Sequence, residues 1–373
     1  MKRAVSLFLL LAILLSLLVG CKEKYPKIES TDEEARVVAT LSVGDWEYEL
    51  KYELYRALFL TYKSEVDGGD PTVWYGDEKE KYIKEISEII FGRAAEIFAV
   101  FELARRIGVD PYSKDIEKKI EQMIEVSVEG GVYDNKEFAG FGGDYDEYLD
   151  SLASLYHNYS TSVLLLRQEL LRAELDRHYI GAITPEEIAS GSLSSGAIKY
   201  DREIIRSFYD SEDCARVLIT YVQDNTGSGA EARAESIRLE ALEAAEGGEG
   251  EVRALFIDRG SPTAAGELIK GVLVAEHSLS YDYTELAEAA LLLEVGGVSE
   301  VVKTYSASDG VRYQIIYRAE KTNEFFDECY TEIVRSYLYD AVGGMIKLVE
   351  DELKASVTLT QAGEEIIHSE IKM

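Results

Sequence analysis

Cysteine is nearly missing from this chain, with three in 373 residues. A disulfide framework is therefore excluded as the source of its stability. Cys214 and Cys329 could pair with each other or lie as two buried thiols, and the sequence leaves both open. Positive charge is also scarce. Lys and Arg number 39 against 70 Asp and Glu, a formal net charge of −31, and such a field repels phosphate backbones and anionic headgroups. Nucleic acid and electrostatic membrane docking are excluded as partners, which leaves a polypeptide, a cation or a neutral surface. The four histidines, His157, His178, His277 and His368, have no metal-ligand spacing, so no metal and no cofactor are expected. Gly140, Gly142 and Gly143 follow no strand pattern, against a nucleotide loop. Asp67 with Asp70, and Asp144 with Asp146, lack the ligand count of a calcium loop and read as solvated turns. No nucleophilic or glycosidic constellation stands out.

What the chain does have begins with a charged start, Lys2-Arg3, and an apolar run from Ala4 to Val19. That run is short for a membrane span, which takes about 20 residues, and has the layout of a secretory signal. It ends in Leu18-Val19-Gly20-Cys21, which looks like the lipobox of a bacterial lipoprotein precursor. That likeness implies cleavage after residue 20, lipid attachment at Cys21 and an extracytoplasmic protein anchored to the outer face of the bacterial cell membrane. Loss of Lys2 and Arg3 takes the charge from −31 to −33. The polar run 21–36 reads as a flexible tether.

From Val37 to Val43 a short strand and turn precede a helix expected from about Glu47. Tyr48, Tyr52, Tyr55, Phe59 and Tyr62 are spaced four, three, four and three and fall on one face of it. Such a stripe is either packed against neighbouring helices or an open aromatic cradle for client chains. Helices are expected next over about 77–107, closed by Gly108, then 113–126, 145–157 and 161–179. After a Gly-Ser-rich interruption at 190–196 the period changes. Strand-like 216–222, helices 230–245 and 283–293 and short strands 298–302 and 312–317 form an α+β unit over 213–320. A helix from Asn323 to about Lys354 closes the pattern, followed by a strand at 356–359.

Helical region, α+β insert and returning helix together resemble extracytoplasmic foldases of the SurA and PrsA type, in which a helical chaperone domain carries a parvulin-type peptidyl-prolyl isomerase module. The resemblance rests on the Val37 to Leu50 segment, on Ala104-Arg105-Arg106-Ile107-Gly108-Val109, and on Tyr145-Asp146-Glu147-Tyr148-Leu149. In the module it rests on the run from Ala289 to Val302 and on Gly310-Val311-Arg312-Tyr313-Gln314-Ile315-Ile316. It implies a mainly helical α+β fold: chaperone domain 37–212, parvulin-like domain 213–320, and a C-terminal part 321–373 returning to the first.

Gln314 stands where typical members have the histidine of their closing strand. Leu218, within one residue, stands where the first strand carries another, and Leu286 replaces an aromatic of the proline pocket. An isomerase must lower a rotation barrier of about 18–20 kcal/mol, by gripping the proline ring and favouring the twisted amide electrostatically. Leucine cannot hydrogen-bond and glutamine cannot titrate. The resemblance with these departures implies a membrane-tethered chaperone for unfolded or partly folded exported polypeptides, whose module has lost efficient catalysis. An active isomerase and a non-chaperone scaffold lipoprotein are the alternatives. A homodimer stays open.

Overall fold

Trp46-Glu47-Tyr48-Glu49-Leu50-Lys51 alternates apolar with charged residues, the period of a strand. In the computed structural model it is one: β2 (Trp46–Lys51) pairs antiparallel with β1 (Val37–Val43), Leu41 opposite Tyr48. The helix expected from Glu47 starts only at Tyr52 (α1, Tyr52–Asp67), because alternation at 46–51 outweighs the four-three aromatic spacing. The structure describes residues 25–68, 70–133, 136–181, 196–223, 229–260, 271–277, 284–306 and 310–370. Cys21, the apolar run before it and all of 190–196 except Gly196 lie outside the described residues.

The fold is α+β and mainly helical, in two compact units. The first comprises residues 1–172 and 349–373, the second residues 173–348. After α1 a short 3-10 turn (Pro71–Tyr75) is capped by Asp70, and α2 (Lys79–Arg106) carries a long apolar stripe. Ser113 caps α3 (Lys114–Glu129), a small hairpin β3 (Gly131–Tyr133) and β4 (Lys136–Phe138) follows, and Asp144 caps α4 (Tyr145–Ser154). The capping side chains each accept a first-turn amide that the helix leaves unpaired. Helix α5 spans Tyr159–Tyr179.

Residues 25–36, expected as a flexible tether, are instead laid along this unit. The Tyr25 ring stacks on Tyr145 at 5.1 Å and its hydroxyl donates to Glu129. Ser30 hydrogen-bonds Glu53 and Ser160, and Asn158 donates to Glu34. One aromatic stack and several hydrogen bonds between exposed or half-buried side chains hold the segment there. The unit is completed by the chain's far end. Strand β9 (Thr358–Leu359) pairs with β1, giving the sheet order β2-β1-β9, and α12 (Gln361–Glu370), which the sequence reading did not foresee, packs on β1.

In the second unit α6 (Arg202–Asp210) leads into β5 (Cys214–Gln223), followed by α7 (Ala230–Ala245) and α8 (Glu249–Arg259). Then come β6 (Val272–Ala275), α9 (Thr284–Leu292), β7 (Val302–Ser306) and β8 (Gly310–Ala319). The four strands form one antiparallel sheet of order β6-β5-β8-β7. Leu218, Ile315 and Tyr317 turn to α7 and α8, while Ala215, Val217 and Ile316 turn to α9. The strand expected at 298–302 is displaced to 302–306, with Val298 left as a single bridge to Tyr317. The C-terminal helix is interrupted at Cys329 into α10 (Asn323–Glu328) and α11 (Tyr330–Ala355). Helices α6 and α10, both outside 213–320, meet in this unit, where the Tyr209 ring packs on Phe325 and Phe326. Cys214 and Cys329 are buried free thiols. Burial pushes the Cys214 thiol up to about 11, so it is inert at neutral pH.

Candidate functional site

The even-numbered side chains of β2 turn toward α2. Tyr48 stacks on Phe98 at 5.2 Å and donates its hydroxyl to Glu102 at 2.9 Å. Glu102, buried in the last turns of α2, also accepts from Arg105 at 2.7 Å and Arg106 at 2.9 Å. Burial by itself would raise the Glu102 carboxyl, but the hydrogen bonds from Arg105, Arg106 and Tyr48 outweigh it and hold the group below the usual carboxylate range. Burial, followed by the bond to Glu102, pushes the Tyr48 phenol well above its ordinary value. The Arg105 guanidinium, fixed from below by Glu102, lies 3.9 Å from the centre of the Trp46 ring. Trp46 itself is half exposed.

Helix α2 stops at Ile107, and Gly108, at φ +85°, turns the chain out of it. The loop that follows brings up Tyr112, whose ring is covered by the Arg167 guanidinium of α5 at 4.6 Å. Arg167 is buried and donates to the Pro111 carbonyl and to Glu117, both at 2.7 Å. Between β2, this loop and the first turns of α5 lies a cleft of about 930 Å³. Phe98, Val109, Pro111, Val163 and Leu164 give it apolar walls. Thr161, on its α5 side, is buried with a hydroxyl that has no hydrogen-bond partner. The volume falls within the range of about 300–1,000 Å³ usual for ligand sites, and apolar walls with a few fixed polar groups are their usual make-up.

Of the proposed client stripe, Tyr52, Tyr55 and Phe59 are buried in the core and Tyr62 is held under the Arg93 guanidinium at 5.1 Å. The stripe is not an open cradle: helix α1 turns it inward against its neighbours. Only Tyr48, which belongs to β2, reaches the cleft. Trp46, Tyr112 and Arg167 escaped the sequence reading, and Arg105 entered it only as part of the Ala104 to Val109 motif. The signal that could have found the first of them is the alternation of 46–51.

In the second unit Leu218, Leu286 and Gln314 are all buried. Leu218 lies opposite Tyr317 on β8, and Gln314 opposite Tyr221 on β5. Tyr317 is three residues beyond Gln314, an odd step, so Leu218 and Gln314 point to opposite faces of the sheet. Leu218 packs under α7 and α8, whereas Gln314 donates to the Thr304 hydroxyl at 2.7 Å on the other side. Leu286, on α9, packs against that other side. The shared floor implied for Leu218 and Gln314 is thus not formed. Moving the alignment by one residue in either direction selects Val217 or Ile219, both of which face the Gln314 side and are as inert as leucine. His277 follows β6, and its backbone amide donates to Asp340 at 2.7 Å.

Among the described residues no group of side chains could hold a metal ion, and no helix is long and apolar enough to cross a membrane. Asp67 instead accepts the buried Trp74 indole N–H at 2.7 Å.

No family model matches this chain, and no curated protein matches it. Ten solved chains do, at low similarity. The foldase protein PrsA of Streptococcus pneumoniae is 14% identical, with 75% of this chain and 89% of that one covered and a TM-score of 0.25. The foldase protein PrsA of Lactococcus lactis is 15% identical over 90% and 99% of the two chains, at 0.22. The peptidylprolyl isomerase PrsA of Bacillus cereus is 14% identical over 79% and 94%, also at 0.22.

Proposed function

We propose that the chain is a chaperone for exported polypeptides, lipid-anchored through Cys21 to the outer face of the bacterial cell membrane, whose sheet module lacks efficient prolyl isomerase chemistry. The observation that carries this reading is the cleft beside β2. Its aromatic and aliphatic walls, set with fixed guanidinium groups, suit a few side chains of a non-native segment and demand no single sequence. The second unit supports the other half: Leu218 and Leu286 are core residues, and the amide of Gln314 is taken up by Thr304.

The test is suppression of aggregation of an unfolded client by the full chain and by Trp46→Ala with Tyr112→Ala. Loss of suppression in the double variant with unchanged unfolding temperature is the expected result. Equal suppression by both would refute the cleft as the holding surface. Proline-limited refolding, run alongside, should keep its uncatalysed time of tens to hundreds of seconds; a marked acceleration would favour an active isomerase.

A further inference from the structure

Strand β2 is an edge of its sheet, since the order is β2-β1-β9. The cleft is lined by Trp46, Glu47, Tyr48 and Glu49 in unbroken succession. A pocket lying over one face of a strand would take alternate residues, because successive side chains point to opposite faces. Four consecutive lining residues mean that the cleft runs along the strand's outer edge, where the N–H and C=O groups that do not face β1 point. An exposed edge of this kind is a template for another strand.

We infer that the cleft takes an extended, cationic segment of polypeptide, added to β2 as a further strand of the sheet. Charge selects the occupant. Glu47 and Glu49 are exposed on the outer face of β2 and make no ion pair among the described residues, and Asp110 adds a third carboxylate to the rim. The two guanidinium groups of the cleft are already matched, Arg105 by Glu102 and Arg167 by Glu117. Lys51, exposed on the same face of β2, also lines the cleft and sets one ammonium against these three carboxylates, so what is left is a rim of net negative charge on a chain of net charge −31. Like charges directly opposite one another destabilise a strand pair, so a second copy of β2 is repelled, whereas lysine or arginine at alternate positions of an incoming strand is favoured. Its intervening side chains would then meet the aromatic wall of Trp46 and Tyr112. Backbone pairing supplies affinity for any sequence, and alternate side chains supply the preference.

This inference rests on the reading of the first unit as a holder of non-native chains, and the experiment separates the two. The full chain is titrated with three fluorescent ten-residue peptides: one alternating lysine with valine or phenylalanine, its glutamate counterpart, and the lysine peptide N-methylated at alternate backbone nitrogens. Binding of the first alone is expected, and Glu47→Lys with Glu49→Lys should weaken it about tenfold, the scale of two surface ion pairs reversed. Equal binding of the methylated peptide, or of the acidic one, overturns strand addition. If aggregation suppression persists in that case, the chaperone reading survives without it. If suppression is absent as well, both fall.

Discussion

Replacing Glu102 by Gln tests the bridge that holds β2 to α2. The carboxylate accepts from Tyr48, Arg105 and Arg106; a carboxamide presents one oxygen and turns an N–H pair toward the two guanidinium groups. A hydrogen bond to a charged group contributes about 1.5–3 kcal/mol. The side chains of Arg105 and Arg106 are 30% and 42% exposed and can rehydrate, so the loss stays far below the sum of all the contacts. A destabilisation of about 2 kcal/mol follows, or about 4–8 °C in unfolding temperature for a unit of this size. Both tryptophans, Trp46 and Trp74, lie in the first unit, so intrinsic fluorescence reads the unfolding of that unit alone. The pH dependence carries a second check. Because the folded carboxyl sits below its unfolded value of about 4.3, its contribution is present above that pH and is lost as pH falls through the folded value. The variant and the parent should therefore converge in acid. A variant as stable as the parent at pH 7, or one whose deficit is undiminished in acid, would refute the reasoning.

Three further outcomes follow from the structure. Installing histidines by Leu218→His with Gln314→His should not accelerate proline-limited refolding and should destabilise the second unit, because the two side chains face opposite sides of the sheet and Leu218 is fully buried; a gain in isomerisation rate would overturn the facing. Gly363→Ala should destabilise the first unit by at least about 1–3 kcal/mol, the usual penalty for overpacking, since a Cβ there would meet the Val38 carbonyl oxygen at 1.9 Å; urea unfolding followed by tryptophan fluorescence measures it. Burial raises the Asp340 carboxyl despite its bond from the His277 amide, so the folded form binds its proton more tightly and loses stability as pH rises from the unfolded value to the folded one. Asp340→Asn, which keeps the acceptor, should be more stable than the parent at pH 7 and equal to it at pH 3 by thermal unfolding.

The long helices and the two central strands of the second unit, β5 and β8, were legible in the sequence because their apolar positions repeat over many residues, as at Ile83, Ile86, Ile90, Ala94, Ile97 and Phe101 of α2; the short outer strands were not, β6 being unforeseen and β7 displaced. Strand β2 was not, because its aromatics also satisfy a helical spacing and only pairing with β1 decides between the two. Helix α12 was missed because its few apolar residues, Ile366 and Ile367 among them, acquire meaning only once Gly363 lets the helix settle on β1. The opposed facing of Leu218 and Gln314 depends on register between strands nearly a hundred residues apart, which no local pattern specifies. The cleft is of the same kind. Trp46, Tyr112 and Arg167 come from separate elements and are brought together only by tertiary packing.

Strand β1 waits for its second neighbour until synthesis has reached β9, since Ala39 pairs with Leu359 and Thr40 with Thr358. Until then a finished β2 leaves the other flank of β1 bare, open to whatever extended chain arrives first. Closing so distant a contact is slow relative to local helix formation. A truncation that removes residues 356–373 would leave that flank permanently uncovered. Loss of this segment should thus be felt at a strand far from it in sequence, as self-association through β1.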